Sequence, residues 1–341
     1  LYPLGSNPEL ARAAALMRSR AASQMGDPIV SRSRLIGTIL LGILTITTSE
    51  SFALAGPESP QALDDAWWTG PLVAYSPHSL PQGHLLIEPY LFDVSGGSAD
   101  NVHSFTYFLY GATDRLTVGF APDFVFNSVR GGADSSGVHL GDTTLRAQYM
   151  LVAMDAEKGI PDLALAVLQN LPTGKYDRLG RAGDGVGGGA YATTLAIYSQ
   201  LVWWMPNGRL LRTRLNLSES FSPPVPVSDA SVYGTDTGFV GHARPGNQFS
   251  AITAFEYSAT RNWVLALDLI YDHGNATRVQ GFQGANAVYS ISGTSDAFGF
   301  APALEYNWTS NIGALIGVRV LPAGHNSKAT VTPAIALNYV L

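Results

Sequence analysis

"NWVLALDLIYDHG" (262–274) puts Trp263, Leu265, Leu267, Leu269 and Tyr271 on odd positions and Val264, Ala266, Asp268, Ile270 and Asp272 on even ones. A period of two makes this a β-strand with one face apolar from end to end, bounded by an aromatic ring at each limit, and a second face that carries two acids. In a soluble sandwich the apolar face would meet a protein core, so the strand alone leaves core and lipid open. The rest of the chain decides between them.

Similar alternation recurs at 84–95, 102–111, 114–127, 140–154, 160–171, 188–201, 207–221, 247–259, 297–309, 312–323 and 328–341. With 262–274 this predicts twelve strands, an even number, as bacterial single-chain barrels have. The connections follow parity: after the second, fourth, sixth, eighth and tenth strands the chain turns within a few residues, whereas the gaps after the third, fifth, seventh and ninth are long and rich in Gly, Ser, Asp and Pro. A meander with tight turns on one rim and long loops on the other is the outer-membrane pattern, with both ends of the chain on the tight-turn, periplasmic rim. A Greek-key sandwich has no reason to sort its loops this way. Pro89, Pro122, Pro302 and Pro333 fall inside these strands and predict local bulges or twisted spots.

Charge separates by face. Leu116, Val118, Phe120, Phe124 and Phe126 share one side of their strand, and Phe298, Phe300, Leu304, Tyr306 and Trp308 share one side of theirs, with no charge on either. Glu88, Asp123, Arg146, Arg212, Arg214, Glu256, Asp268, Glu305 and Arg319 fall on the opposite faces and are the expected lumen-lining set. An Arg or Lys on the lipid face at mid-membrane costs ~2–4 kcal/mol, so this sorting is what a bilayer imposes. Trp263 and Tyr271 are eight residues apart, which at ~3.3 Å per residue and ~40° tilt spans ~20 Å along the membrane normal, close to the ~25 Å apolar band. With Tyr306 and Trp308 they form the expected aromatic girdle. The expected fold is thus all-β, a transmembrane antiparallel up-and-down barrel in the cell outer membrane, spanning 84–341.

Composition agrees. Only 13% of the 341 residues are charged, Gly is abundant and Cys is absent, so neither a disulfide framework nor a thiolate metal site exists. Residues 56–341 carry 15 bases against 23 acids, which excludes nucleic acid as a natural partner. Two arginines, an uncharged run from Leu35 to Thr48 and Ala53-Leu54-Ala55 before Gly56 read as a cleaved signal peptide over 25–55. That run is too short to span a bilayer as a helix. Residues 1–24 read as an upstream non-structural segment.

Three stretches carry a family resemblance: "YGATDRLTVGFAPDF" (110–124), "GDTTLRAQYMLV" (141–152) and "PDLALAVLQNLPTGKYD" (161–177). Together they resemble the MetA-pathway of phenol degradation family. The resemblance implies an outer-membrane barrel associated with the breakdown of aromatic compounds and a transport-like role. It brings no catalytic residues.

The remaining candidates are these. Trp67, Trp68, Leu72 and Tyr75 are too apolar for a free tail, so residues 56–83 form either a plug in the barrel mouth or an interface anchor. Arg212 and Arg214 share one face and need an acid, for which Glu256 on the next strand is the natural partner. The lumen is either filled by such pairs or open as a path. His103, His139, His242, His273 and His325 fall on the outer rim, but without a close His-x-His pair they make no metal site. "GDGVGGG" (183–189) lacks the Lys of a phosphate loop and precedes a strand, so it reads as a flexible loop. No Gly-x-Ser-x-Gly elbow exists, so the chain is read as a non-enzyme without cofactor or metal. Its partners are outer-membrane lipid and a small solute. The leading function is a passive channel for small aromatic or hydrophobic compounds; a structural or adhesive barrel and an outer-membrane hydrolase are the alternatives.

Overall fold

The structure, a computed structural model, describes residues 59–96 and 99–341. The signal peptide expected at 25–55 and the segment expected at 1–24 lie outside the described residues. The strands are β1 (Leu85–Val94), β2 (Ala99–Thr113), β3 (Leu116–Ala121), β4 (Asp123–Val129), β5 (His139–Leu140), β6 (Thr143–Val152), β7 (Asp162–Leu171), β8 (Thr193–Trp204) and β9 (Leu210–Phe221). There follow β10 (Val225–Ser228), β11 (Phe239–Arg244), β12 (Gln248–Ser258), β13 (Trp263–Gly274), β14 (Arg278–Gln283), β15 (Asn286–Ile291), β16 (Ser295–Asn307), β17 (Ile312–Leu321) and β18 (Thr330–Val340).

Every wall strand pairs antiparallel with its neighbours, and β1 pairs with both β2 and β18, which closes the sheet. β3 and β4 are one wall interrupted at Pro122, since both pair with β2. The barrel therefore has twelve walls. Closure leaves no unpaired edge, the condition for a sheet to sit in hydrocarbon.

Side-chain alternation puts the apolar face outside. In β13, Leu265, Leu267 and Leu269 are exposed while Val264, Ala266, Asp268 and Ile270 are buried. Trp263 packs on Tyr306 with ring centroids 4.6 Å apart at one end of the strand, and Tyr271 on Phe298 at 4.7 Å at the other. Trp308 meets Tyr306 edge-on, so the ring band is two clusters separated by the leucines.

The prolines act as gaps in hydrogen bonding rather than as inserted residues. Glu88 and Pro89 have no partner in the β1–β18 register, Thr332 and Pro333 none on β1, and Ala301 and Pro302 none in the β16–β17 register. A residue without N–H interrupts one ladder and leaves the other intact. The expected 140–154 and 188–201 strands start later, at Thr143 and Thr193, because the preceding residues bond to loops instead.

Four strands were not foreseen. β10, β11, β14 and β15 form a separate sheet beyond the long-loop rim, within stretches expected to be loop. The β11–β14 ladder continues the β12–β13 ladder in one register, Gln248↔Gly274 below and Arg244↔Arg278 above. This sheet buries Val225, Val227, Phe239, Ala243 and Val279 against Ala190, Tyr176 and Tyr233. The main core lies in the lumen, where Leu72, Val73, Tyr90, Phe92, Phe105, Tyr107 and Ile252 pack together.

Candidate functional site

The interior is organised around residues 61–83, which rise from the periplasmic rim to mid-barrel and return. At the entry, Gln61 donates from Nε2 to the Ser258 hydroxyl at 2.9 Å, and its backbone N–H reaches the Gly208 carbonyl. The consecutive Thr69 and Gly70 N–H groups donate to Glu305 Oε2 at 2.8 and 3.0 Å. Higher up, the consecutive Val73 and Ala74 N–H groups donate to the carboxylate of Asp268, midway along β13, at 3.2 and 2.9 Å. Asn216 then brackets Tyr75, accepting from its N–H and donating to its carbonyl. On the way down, Gln148 donates to the Pro77 carbonyl and the Leu80 N–H to the Thr117 hydroxyl, until Gly83 bonds to Gly111 beside the β2–β3 turn. An extended segment has unsatisfied amides along its whole length, so it can lie in this low-dielectric space only because strand side chains receive them.

Its aromatic rings lie under barrel guanidinium groups. Arg261 sits 4.7 Å above Trp67, Arg212 4.4 Å above Trp68 and Arg146 4.4 Å above Tyr75. Tyr75 also stacks on Tyr198 at 5.3 Å and shares a 2.8 Å hydroxyl contact with Tyr107. A ring face is the neutral partner best suited to a cation that has left water.

Arg212 donates from Nε to Glu256 at 2.7 Å and forms a second contact from Nη2, while Arg214 Nε is 3.0 Å from the same carboxylate. Arg214 Nη1 also donates to the Ala74 carbonyl at 2.9 Å. Arg319 donates to Asp272, which also accepts from Ser250. Arg146 donates to Gln148, Asn338 donates to Glu88, and Asp123 meets His103, whose ring stacks on Phe92 at 4.8 Å. Of the nine charges singled out in the sequence, Arg146, Arg212, Arg214, Glu256, Asp268, Glu305 and Arg319 are buried; Glu88 and Asp123 are half-buried. The amides that hold the segment, Gln148, Asn216 and Asn307, are absent from that set. They sit on the same inward positions, and neutral polar residues recurring there are the signal that would have found them.

Gly111 serves a different purpose from the hairpin role its sequence context suggests. A Cβ there would lie 2.1 Å from the Pro81 carbonyl oxygen, so the position is kept bare for the returning segment.

Above the lumen, residues 172–192 fold across the mouth. Asn127 and Ser135 donate to the Gly183 carbonyl, and Asp142 accepts from the Gly174 and Gly188 N–H groups at 3.0 and 2.8 Å and from Asn170. The "GDGVGGG" stretch is thus bonded at both ends instead of hanging free. Burial pushes the Asp142 carboxyl above its ordinary range, against the pull of these donors. At Asp184 the Ser136 N–H, together with the Ser136 hydroxyl and His139, holds the carboxyl below its ordinary range. His103, His139 and His273 each face one aspartate, and no group of three metal-ligating side chains occurs among the described residues. Between segment and wall is a small pit lined by Leu72, Val73, Tyr90, Phe92, Arg319, Thr332 and Ala334.

A family model described as "Putative MetA-pathway of phenol degradation" matches residues 75–321. No curated protein sequence matches the chain. Among solved structures, an outer membrane channel from Pseudomonas putida F1 superposes with a TM-score of 0.55 at 16% identity, covering 79% of this chain and 100% of its own. The NanC porin gives a TM-score of 0.40 at 10% identity over 74% and 98% of the two chains. The CymD monoaromatic hydrocarbon channel gives 0.35 at 10% over 76% and 88%. Fold and family together make the chain an outer-membrane β-barrel.

Proposed function

The chain belongs to the family described as "Putative MetA-pathway of phenol degradation", and from that membership we propose a passive conduit for small aromatic or hydrophobic compounds across the outer membrane, with residues 61–83 as its plug. The observation that carries this reading is the pairing of the interior charges. Arg212 and Arg214 are matched by Glu256, Arg319 by Asp272, and Asp268 and Glu305 by backbone N–H groups, while Arg146, which meets no acid, donates to Gln148 and lies over the Tyr75 and Tyr198 rings. The apolar wall residues packed against the segment are Tyr90, Phe92, Phe105 and Tyr107, which a solute would meet once the segment leaves. A neutral ring gains by leaving water for such walls, whereas an ion loses its hydration among charges that already have partners.

The plug's bonds support a segment that is held yet separable. Its hydrogen bonds run largely to side chains of the wall, so it adds no strand to the closed sheet and can leave without breaking a ladder.

Planar-bilayer recording and liposome uptake of phenol against benzenesulfonate, with the mature chain and a form lacking 56–83, test both parts. The expected result is faster phenol entry and a larger conductance on truncation. Absence of current and of solute flux in both forms overturns the conduit; equal conductance in both overturns the plug.

A further inference from the structure

The four-stranded sheet beyond the rim has two unlike faces. Its odd positions on β11 and β14 are buried on the 172–192 loop, which Asn127 and Ser135 hold across the mouth. The even positions are therefore turned away from the mouth. Below the rim, even positions of β12 and β13 point into the lumen, whereas above it the buried positions of β11 and β14 are odd; between the two, a Cβ on Gly246 would lie 2.0 Å from the Asn275 carbonyl oxygen.

On that outward face Arg244 and Arg278 are direct cross-strand partners. Two like charges in this position repel, and among the described residues neither guanidinium has an ion pair to an acid. β10, β11, β14 and β15 contain no Asp or Glu at all, in a chain of net charge −6. Further along the same face, rings stand in solvent: Tyr289, opposite Gln280, is 65% exposed, and Phe282, four residues from Arg278, 59%. Exposed aromatic rings next to unmatched cations are the surface that a phosphorylated saccharide fits, with phosphate on the guanidinium forks and sugar C–H faces on the rings.

Depth identifies the source. Arg278 lies seven residues beyond Tyr271 of the girdle, roughly 18 Å higher at ~3.3 Å per residue and ~40° tilt. That level is above the acyl chains and within the sugar and phosphate layer of the outer leaflet. We infer that this face binds the phosphorylated saccharide of the outer-leaflet glycolipid, with Arg244 and Arg278 on phosphate and Phe282 and Tyr289 on sugar. The inference is independent of solute transport.

Purified mature protein in detergent, titrated with bacterial lipopolysaccharide and followed by native mass spectrometry, tests it. R244S/R278S is expected to weaken binding by about tenfold or more, since two charge-assisted contacts go. F282S/Y289S is expected to weaken it less, and K158S on the opposite rim to leave it unchanged. Enzymatically dephosphorylated lipopolysaccharide should bind wild type as weakly as intact material binds R244S/R278S. Equal binding by wild type and R244S/R278S, each shown folded by its heat-dependent gel mobility, overturns the inference. So does equal binding of dephosphorylated material, or full competition by millimolar inorganic phosphate, which would assign the pair to a free anion.

Discussion

The lower lumen and the mouth both hold a crossing segment in place with aspartate and glutamate, yet they do so under different dielectric conditions. Below, Glu256 answers two arginines and Glu305 and Asp268 each answer two backbone N–H groups, all with fully buried carboxylates. Above, Asp184 answers Ser136 and His139 with its side chain 12% exposed, against 0% for Glu256. Water can replace a lost partner at the mouth and cannot readily do so inside. The same residue type is thus structural in one region and adjustable in the other.

The contrast is broken most severely by Glu256→Ala, which leaves Arg212 and Arg214 buried without an acid. Loss of one partner from a buried ion network costs ~3–5 kcal/mol. The expected outcome is a lower urea midpoint for unfolding from liposomes and poor refolding yield. Replacing Glu256, Arg212 and Arg214 together by leucine should recover much of that loss; if the single substitution leaves the midpoint unchanged, the network is not what holds this half.

Asp268→Asn is expected to be milder. The amide keeps one acceptor oxygen but turns donors toward the Val73 and Ala74 N–H groups, and hydrogen bonds to a charged partner are worth ~1.5–3 kcal/mol. The barrel itself should remain folded, with conductance rising toward that of the form lacking 56–83. A conductance equal to wild type would mean that the segment is held elsewhere.

The smallest effect belongs to Asp184. Its carboxyl is held below the ordinary 3.8, chiefly by the Ser136 N–H. A depressed folded value means that the carboxylate stabilises the loop contact above pH 3.8 and that this contribution is lost as pH falls through the folded value. The protection factor for hydrogen exchange at Ser136 should be high at neutral pH and fall only on acidification below 3.8. In Asp184→Asn this acid step should vanish; persistence of the step would assign it to another group.

Reading the sequence located the walls because lipid imposes a rule on every second residue. Leu265, Leu267 and Leu269 could not alternate with Asp268 and Asp272 in this manner on a strand buried on both sides. The Arg212, Arg214 and Glu256 grouping was legible for a related reason: charges on inward positions of adjacent strands have only one another to meet. Trp67, Trp68 and Tyr75 were visible as too apolar for solvent, but their cation partners, Arg261 in the β12–β13 turn, Arg212 in β9 and Arg146 in β6, are far from them in the chain and share no local pattern with them.

The extracellular sheet shows the limit most directly. β11 and β14 continue β12 and β13 in register, but they leave the bilayer, so no lipid face marks them, and the Gly and Pro that separate them from the barrel read as loop. By itself the sequence determined the number of walls, which face meets lipid, and the rim from which the long loops leave, because each follows from neighbours two residues apart or from the length of a turn. Only the tertiary structure decided that 61–83 runs through the lumen, that the mouth is crossed by 172–192, and that Arg244 faces Arg278. These depend on contacts between residues distant in the chain, where partner choice is set by barrel closure and by the need to satisfy each buried polar group.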